Sequence, residues 1–454
     1  MMNSVSVASG LPLLRHASLN APLAWRGDER ISVARFLSDV EQLARALPAG
    51  KHVLNVCADR YRFAVGLAAS VMTGKISLLP STHTPETVRQ LLAFAPDVFC
   101  LTDTLPCDIE LPQCHYPQLP PAEFDGAIPL VDPAQCVAYV FTSGSTGTPL
   151  PHRKTWGSLV RNIAAEADRL ALRAEDRFTL IGTVPPQHMY GFESTVLLAM
   201  LGGGAMWAGR PFYPADIVSA LEASPHPRAL VSTPFHLRTL LGAGIALPKA
   251  DLVLSATAPL SGNLAAEIET ALQCPLLEIY GCTETGQLAT RSTAQTSEWQ
   301  LFRGVTLVEE GDQVRAQGGH IDTPTVLNDI IEPVSADRFL LHGRSADLVN
   351  IAGKRSSLSY LNHQLNAIPG VVDGCFLMPD DEQVDGVTRL MAVVVAPTLD
   401  HASLLHALRE RIDPLFLPRP LLFADALPRN ATGKLPRAAL ETLIAQSRRG
   451  TDRS

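Results

Sequence analysis

The stretch FTSGSTGTPLPHRK, Phe141–Lys154, decides how the rest of the sequence is interpreted. The apolar run CVAYVFT is typical of a buried strand; it ends at Thr142 and leads into a loop rich in glycine and hydroxyl side chains. Such loops hold phosphates, because glycine permits close backbone approach and hydroxyl and N–H groups donate to phosphate oxygens. An ordinary Ser/Gly turn is the alternative for the stretch alone. The candidate phosphate-binding residues are Thr142, Ser143, Gly144, Ser145, Thr146 and Gly147.

Helical and strand-like segments alternate on both sides of this stretch. Apolar residues recur at helical spacing between Ile31 and Leu47, and Val53–Cys57 is typical of a buried strand. The alternation resumes after the loop and continues to LLEIY, which ends at Tyr280. Proline-rich sequence at 105–133 interrupts it and predicts a surface connection. The pattern predicts an α/β protein with a large N-terminal domain of layered sheets flanked by helices.

The sequence beyond Gly343 contains fewer elements and predicts a small α+β cap domain at the C-terminus. The expected elements are helices near Leu358–Ile368 and Ala402–Ile412, and strands near Val371–Met378 and Leu390–Ala396. We therefore expect two domains, residues 1–345 and residues 346–454.

Composition and charge restrict the class of protein. The 454 residues include 37 basic and 45 acidic side chains, and the net charge of −8 argues against nucleic acid or an anionic membrane as the main partner. A hydrophobic content of 46% excludes a disordered chain, and no run reaches the roughly 18 apolar residues that span a bilayer. The N-terminus lacks the layout of a secretory signal, so we expect a cytoplasmic protein.

Three further motifs follow the phosphate-loop stretch along the chain: EIYGCTETG at Glu278–Gly286, HGRSADLVNIAGKR at His342–Arg355 and LPRNATGKLPR at Leu427–Arg437. With these motifs, the sequence resembles the adenylate-forming (AMP-binding) superfamily of acyl- and aryl-CoA ligases, nonribosomal adenylation domains and luciferases, in which they occur in the same order. The phosphate loop of that superfamily reads [ST]-S-G-[ST]-T-G-x-P-K. Four ordered motifs make the resemblance cover most of the chain.

The resemblance implies an ATP site. The phosphate loop would hold the β- and γ-phosphates, and Thr283 would bind the α-phosphate. Glu284 would help to hold Mg²⁺, for which a carboxylate oxygen is a suitable hard ligand; an exposed strand-end glutamate is the alternative. Tyr280 would stack on the base and Asp329 would bind the ribose. The implied nucleotide-binding residues outside the phosphate loop are Ser255, Ala256, Tyr280, Gly281, Asp329 and Arg344.

The resemblance also implies roles in catalysis and in domain movement. Lys434 would lie between the attacking carboxylate and the α-phosphate, where a cation offsets the repulsion of two anions as charge develops. Asp347 would be the hinge about which the small domain turns between an adenylate-forming and a thioester-forming pose. His188 stands where the superfamily often has a residue that gates the carboxylate pocket, and a plain loop histidine is the alternative.

Two segments depart from the superfamily's pattern. Leu150 replaces the lysine that usually follows the phosphate-loop proline, and Lys154 comes four residues later. Either a different lysine serves, or pyrophosphate is held more weakly. Tyr360–Asn362 replaces the usual E-I-E. The sequence of Pro149–Trp156 resembles that of compact ligases that load carrier proteins in bacterial aryl-polyene or fatty-acyl pathways.

The expected activity is ATP-dependent conversion of an aromatic or medium-chain carboxylic acid to an acyl-adenylate, with release of pyrophosphate. Transfer to a phosphopantetheine thiol of CoA or of an acyl carrier protein would follow. The expected cofactors are ATP, Mg²⁺ and CoA or a carrier-bound phosphopantetheine, with no nucleic acid and no membrane as partner. The alternatives are an adenylating enzyme with a non-thiol acceptor and a noncatalytic AMP- or ATP-binding regulatory module. Retention of Glu284, Asp329 and Lys434 disfavours the module.

Overall fold

A computed structural model describes residues 10–80, 82–142, 150–172, 178–311, 313–344, 348–351, 354–378, 390–430 and 433–451. In chain order the strands are β1 (Leu11–Pro12), β2 (Pro22–Arg26), β3 (Glu29–Ser32), β4 (His52–Asn55), β5 (Ile76–Leu79), β6 (Phe99–Thr102), β7 (Gln113–His115), β8 (Leu130–Val131), β9 (Cys136–Thr142), β10 (Leu150–Thr155), β11 (Thr179–Gly182), β12 (Ala205–Trp207), β13 (Arg228–Ser232), β14 (Leu252–Ser255), β15 (Leu276–Cys282), β16 (Gly286–Arg291), β17 (Glu298–Leu301), β18 (Val305–Glu310), β19 (Gln313–Gly318), β20 (Ile321–Leu327), β21 (Asp329–Ser335), β22 (Arg338–Arg344), β23 (Leu348–Ile351), β24 (Lys354–Ser357), β25 (Asp373–Leu377), β26 (Met391–Val395) and β27 (Leu421–Phe423).

The helices are α1 (Val33–Ala46), α2 (Arg60–Met72), α3 (Pro85–Phe94), α4 (Trp156–Arg169), α5 (Met189–Gly191), α6 (Leu198–Gly202), α7 (Pro214–Ala223), α8 (Pro234–Gly242), α9 (Gly262–Leu272), α10 (Leu358–Asn366), α11 (His401–Arg409) and α12 (Arg437–Thr451). A π-helical turn at Phe192–Leu197 joins α5 to α6, and a 3₁₀ turn covers Pro414–Phe416. Across the described ranges, no helix is both long and apolar enough to cross a membrane.

The first sheet runs in the order β10-β9-β5-β4-β6-β7 and forms the expected first α/β layer. Its strands are parallel except β10, which returns antiparallel to β9 at one edge. Strand β9 has the bounds predicted for CVAYVFT. Helices α2 and α3 connect parallel strands of this sheet, β4 to β5 and β5 to β6, and each begins at a side chain, Asp59 or Thr84, that accepts a backbone N–H of the first turn.

The second sheet runs in the order β21-β22-β17-β16-β15-β14-β13-β11-β12-β2-β3. Its central strands from β15 to β2 are parallel, and those outside them are antiparallel. Every residue of β11 and β13 is buried, as expected for strands covered on both faces. Ser232, Ser255 and Glu278 are in register on three adjacent strands, so the segments that follow β13, β14 and β15 leave the sheet at one edge.

The two sheets share one large apolar core. The cluster joins Phe36 of α1 and Phe63 of α2 to Trp156 of α4, Phe178 and Phe192, all of them fully buried. Burying a side chain of this size contributes roughly 1.5–3 kcal/mol. This core fixes the two sheets relative to each other, and with them the segments that leave their strand ends.

The C-terminal part has a separate core around the sheet β25-β26-β27. Alternate residues of β26 face opposite sides: Val394 packs with α10 and α11, whereas Val393 packs with Leu440 and Ile444 of α12. A separate core is what a cap domain requires. The boundary itself, between residues 345 and 346, stays a prediction because it lies outside the described residues.

The α/β architecture is confirmed, but the structure contains elements that the sequence pattern did not predict, among them strands β16–β22 between 286 and 344 and helix α12. Short strands β7 and β8 lie within the proline-rich segment 105–133, so this segment is not only a surface connection. Each strand has at most three residues, too few for alternation to be detected. Helix α7 was not anticipated, although Pro214 at its first position is a recognisable start.

Candidate active site

Thr283 and Glu284 lie in the tight turn that joins β15 to β16 at the carboxyl edge of the second sheet. Both residues are half-buried, and the side chain of Glu284 is 31% exposed. Lys154 reaches this turn from β10, and its Nζ donates to the carbonyl of Thr283 at 2.6 Å and to that of Glu284 at 3.3 Å. The turn is therefore held from its inner side, while the carboxylate of Glu284 remains accessible.

His152 connects the turn to the start of the phosphate loop. Its Nε2 lies 2.8 Å from the Thr142 hydroxyl and 3.8 Å from Oε1 of Glu284. Burial lowers the pKa of His152 and the Glu284 carboxylate opposes this shift, so the ring is largely neutral at neutral pH. Sequence reasoning missed His152. Its signal was the alternation of Leu150, His152 and Lys154, which share one face of β10.

Tyr280 and Asp329 are joined by a hydrogen bond in which the Tyr280 hydroxyl donates to Oδ2 of Asp329 at 2.8 Å. The ring of Tyr280 packs against Trp299 and Phe339, each with its centroid at 5.6 Å. Asp329 lies opposite Arg344 in the register of β21 and β22. The predicted base-stacking and ribose-binding residues therefore belong to one cluster.

The predicted adenine-binding segment begins at the end of β14. Ser255 and Ala256 are buried, and the Ser255 hydroxyl has no hydrogen-bond partner among the described residues. Thr257 follows with φ at +80°, a conformation that β-branched residues rarely adopt and that occurs most often at functional loops. Gly281 is exposed one residue after Tyr280. Because β14 and β15 are adjacent and parallel, these residues share one edge of the sheet.

The loop that carries Lys434 lies against the start of α8. Gly433 has φ at +78°, and a Cβ there would lie 3.3 Å from the Cβ of Phe235. Lys434 is exposed, and its positive charge acts on His188. Burial, aided by this charge, lowers the pKa of His188 to about 4, so the ring is neutral at neutral pH. The structure therefore brings together two residues that are separated by 246 positions in the chain.

Asp373 holds this loop in place. Arg429 donates from Nε and Nη2 to its two carboxylate oxygens at 2.7 and 2.8 Å, and from Nη1 to the carbonyl of Gly433 at 2.9 Å. On the other side, Arg238 of α8 lies 3.8 Å from Asp373. Sequence reasoning missed Asp373 and Arg238. Arg429 stands inside the LPRNATGKLPR motif and was the available signal.

Some predicted residues lie outside the described part of the chain. They are Ser143, Gly144, Ser145, Thr146 and Gly147 of the phosphate loop and the hinge residue Asp347. Of the two residues connected with the missing phosphate-loop lysine, Leu150 is exposed, whereas Lys154 is buried beneath the Thr283–Glu284 turn. In this structure the ammonium of Lys154 binds the turn's backbone, and so it does not stand in for the missing lysine at a solvent-facing position.

Comparisons with known proteins identify the family of the chain. The family model for AMP-binding enzymes matches residues 15–314. The chain is 31% identical over 297 residues to a 4-coumarate–CoA ligase of Rhodobacter capsulatus, covering 64% of this chain and 73% of that protein. It is 27% identical over 480 aligned positions to an anthranilate–CoA ligase of Pseudomonas aeruginosa, covering 90% of each.

Solved structures share the fold over nearly the whole chain. ATP-bound MatB from Rhodopseudomonas palustris superposes with a TM-score of 0.80 at 19% identity, covering 95% of this chain and 97% of that chain. The anthranilate CoA ligase AuaEII in complex with anthranoyl-AMP gives a TM-score of 0.79 at 14% identity, covering 97% and 99%. At these identities the likeness concerns the fold alone.

Proposed function

The chain belongs to the AMP-binding enzymes of the adenylate-forming superfamily, and from this premise we propose that it is an ATP-dependent acid–thiol ligase. The observation that carries the proposal is the meeting of the Lys434 loop with His188 and the start of α8, at the sheet edge that also holds Thr283 and Glu284. A cation, a hydroxyl and a carboxylate at one edge form a set suited to a reaction between anions.

In the first half-reaction a carboxylate oxygen of the acid attacks the α-phosphorus of ATP, and the bond to pyrophosphate breaks. Lys434 would lie between the two anionic reactants and lower their repulsion as the new bond forms. The hydroxyl of Thr283 would donate a hydrogen bond to an oxygen of the α-phosphate. His188 is uncharged at neutral pH and would line the carboxylate pocket without adding charge to it.

Glu284 fits the role of a magnesium ligand. Its carboxylate is partly exposed at the nucleotide edge, and its oxygens are of the hard type that Mg²⁺ takes together with phosphates and water. When bound, Mg²⁺ would neutralise charge on the phosphates. His152 would orient the Glu284 side chain from the other side.

In the second half-reaction a thiol sulfur attacks the acyl carbon of the adenylate, AMP leaves with the electron pair of the broken bond, and the thiol loses its proton. We propose that residues 346–454 turn about Asp347 between the two half-reactions. The observation that supports this movement is the contact of Arg238 with Asp373, a pair at 3.8 Å that is partly exposed and therefore weak.

We propose an aromatic acid as substrate and CoA as acceptor. The relatives are named for 4-coumarate, 4-chlorobenzoate, indoleacetate, hydroxybenzoate and anthranilate, all of them aromatic acids, and each is named as a CoA ligase. Medium-chain acids are the other class expected from the sequence. A cytoplasmic location remains a prediction.

An acyl carrier protein is the second candidate acceptor. A groove of about 220 Å³ between α11 and β27 is lined by Arg409, Arg419 and His401. Such a groove offers positive charge on a chain that is acidic overall, and it suits an acidic partner. Substitution of both arginines by alanine would impair transfer to a carrier and leave adenylation unchanged.

The test is ATP–[³²P]pyrophosphate exchange over a panel of aromatic and aliphatic acids, followed by thioester formation with CoA or a carrier. Exchange that depends on one aromatic acid and requires Lys434 supports the proposal. Exchange without transfer to any thiol would favour a non-thiol acceptor. ATP binding without exchange for any acid would overturn the ligase and favour the noncatalytic module.

A further inference from the structure

Lys154 is a buried lysine that the reaction described above does not use. Its residue surface is 6% exposed, and its ammonium contacts the inner side of the Thr283–Glu284 turn. We propose that Lys154 is a positioning residue, which holds this turn in the shape that presents Thr283 to the α-phosphate of a nucleotide. This inference rests on the proposed role of Thr283.

The hydrogen bonds of Lys154 determine how the turn's backbone is oriented. The ammonium binds the carbonyl oxygens of two consecutive residues, Thr283 and Glu284. In a trans peptide the C=O and the following N–H point in opposite directions, so the N–H of Glu284 is directed away from Lys154. A buried cation on the inner side of a turn thus turns a backbone donor outward, toward the side on which an anion would bind.

Two carboxyl groups, one buried and one partly exposed, make a buried cation tolerable at this position. Glu193 and Glu284 both attract the ammonium, which offsets the cost of removing it from water. Glu193 is itself bonded by Asn162 of α4. Gly286, at the far end of the turn, has φ at +79°, and a Cβ there would lie 2.8 Å from Nδ2 of Asn162 and 3.0 Å from Oε1 of Glu193. The Asn162–Glu193 pair therefore packs directly against the turn.

The strand that carries Lys154 also borders the phosphate loop. Strand β10 begins at Leu150, directly after residues 143–149, and pairs antiparallel with β9, which ends at Thr142. Lys154 and His152 lie on the same face of β10 and contact Thr283 and Glu284 respectively. One strand thus connects the end of the phosphate-loop segment to the Thr283–Glu284 turn.

The chain supplies a matched control for this lysine. Lys75 is 8% exposed, and its Nζ donates to the carbonyls of Pro48 at 2.6 Å and Gly50 at 2.7 Å, beside strands β4 and β5 of the first sheet. The two lysines have similar exposed fractions, and the ammonium of each donates to two backbone carbonyls. Only Lys154 contacts a predicted nucleotide-binding residue, so a general loss of stability is separable from a loss of positioning.

The experiment measures AMP binding by calorimetry in metal-free buffer for the native chain, Lys154→Met, Lys75→Met and Lys154→Gln. We expect Lys154→Met to weaken AMP binding about 10-fold, the size expected for lost hydrogen bonds from a charged group, and Lys154→Gln, which keeps one neutral donor, to weaken it less. Lys75→Met should leave AMP affinity unchanged while lowering the melting temperature. If Lys154→Met does not fold, the comparison rests on Lys154→Gln.

A double-mutant cycle with Thr283→Ala tests whether Lys154 acts through Thr283. We expect Thr283→Ala to weaken AMP binding in the native background and to have a smaller effect in the Lys154→Met or Lys154→Gln background. Additive effects, or equal AMP affinities for the Lys154 and Lys75 variants, would overturn the inference.

Failure of the ligase proposal is distinguishable from failure of this inference. No pyrophosphate exchange in a native chain whose AMP binding depends on Lys154 would refute the ligase and leave the positioning role intact. Exchange in the native chain with AMP binding indifferent to Lys154 would do the opposite. A native chain that does not bind AMP would refute both.

Discussion

The Thr283–Glu284 turn and the Lys434 loop lie at the same edge of the second sheet, but different kinds of interaction hold them. The turn rests on buried groups, namely Lys154, Asn162 and Glu193. The loop is exposed at Lys434 and touches the large α/β part through Gly433 and the Arg238–Asp373 pair. A fixed turn and a detachable lysine would suit the proposed two-step reaction, in which the nucleotide would stay bound while the Lys434 ammonium withdraws.

The largest expected effect tests the detachable side. Lys434→Ala should lower the rate of pyrophosphate exchange about 10²–10³-fold, because one preorganised charge at the reacting centre is lost. Since Lys434 is exposed, the melting temperature should not change. Exchange kinetics and differential scanning fluorimetry on the same preparations make the measurement. Substantial destabilisation would show that the loop is part of the fold rather than detachable.

The next effect tests the fixed side. Glu166 of α4 is buried beside the start of β16, where Gln287 donates to it at 3.1 Å, and burial raises its pKa to about 7. The folded-state pKa exceeds the ordinary 4.5. The contribution of protonated Glu166 to the free energy of unfolding is therefore fully present below about pH 4.5 and is lost as the pH rises through 7. Between pH 5 and pH 8, the free energy of unfolding of Glu166→Gln should therefore fall by about 2 kcal/mol less than that of the native chain.

Urea unfolding at both pH values measures this effect, and Asp168→Asn, an exposed acid on the same helix, is the control. An unchanged pH slope in Glu166→Gln would mean that Glu166 is not a buried group that titrates on unfolding.

A smaller effect tests the Arg238–Asp373 contact between the two regions that are proposed to move relative to each other. Arg238→Ala removes one partner of Asp373 and should slow adenylation by about 2–5-fold, the size expected for a partly exposed ion pair. Thioester formation from preformed adenylate should not slow. Single-turnover kinetics of each half-reaction separate the two, with Arg26→Ala, which loses the exposed pair with Asp59, as control. Equal slowing of both half-reactions would contradict a contact specific to the adenylating pose.

The smallest effect is electrostatic. Lys434→Ala should raise the pKa of His188 without restoring its usual value, because burial is the larger cause of the shift and remains. NMR titration of the imidazole measures this change. His236, whose pKa of about 4 results from burial and the charge of Arg210, should not respond. No change at His188 would place the Lys434 ammonium away from the carboxylate pocket.

Local patterns predicted the elements well where they concern neighbouring residues. The apolar run before the phosphate loop predicted strand β9 with its bounds. The motifs singled out Thr283 and Glu284, which lie in the turn between β15 and β16, and Lys434, which lies between β27 and α12. Long-range partners could not be predicted. Lys154 contacts Thr283 and Glu284, which are 129 and 130 positions further along the chain. This contact depends on how two separate sheets pack together, and no local sequence period encodes that packing.

The missed residues share this property. His152 contacts Glu284 and Asp373 contacts Arg429, both distant in the chain, and both residues look like ordinary loop or strand residues in the sequence. The departure at Leu150 directed attention to Lys154 as a replacement phosphate ligand. Its burial and its two carbonyl partners give it a backbone-holding role instead.

The antiparallel edge strand β10 also restricts the number of residues between the glycine-rich loop and helix α4. Thr155, the next residue after Lys154, accepts the N–H of Ser158 and starts α4. Because side chains of a strand alternate between faces, one inserted residue before Lys154 would turn its ammonium to the opposite face, and two would restore it. Selection should therefore remove single-residue insertions or deletions before Lys154 within β10 (Leu150–Thr155) from chains descended from this one.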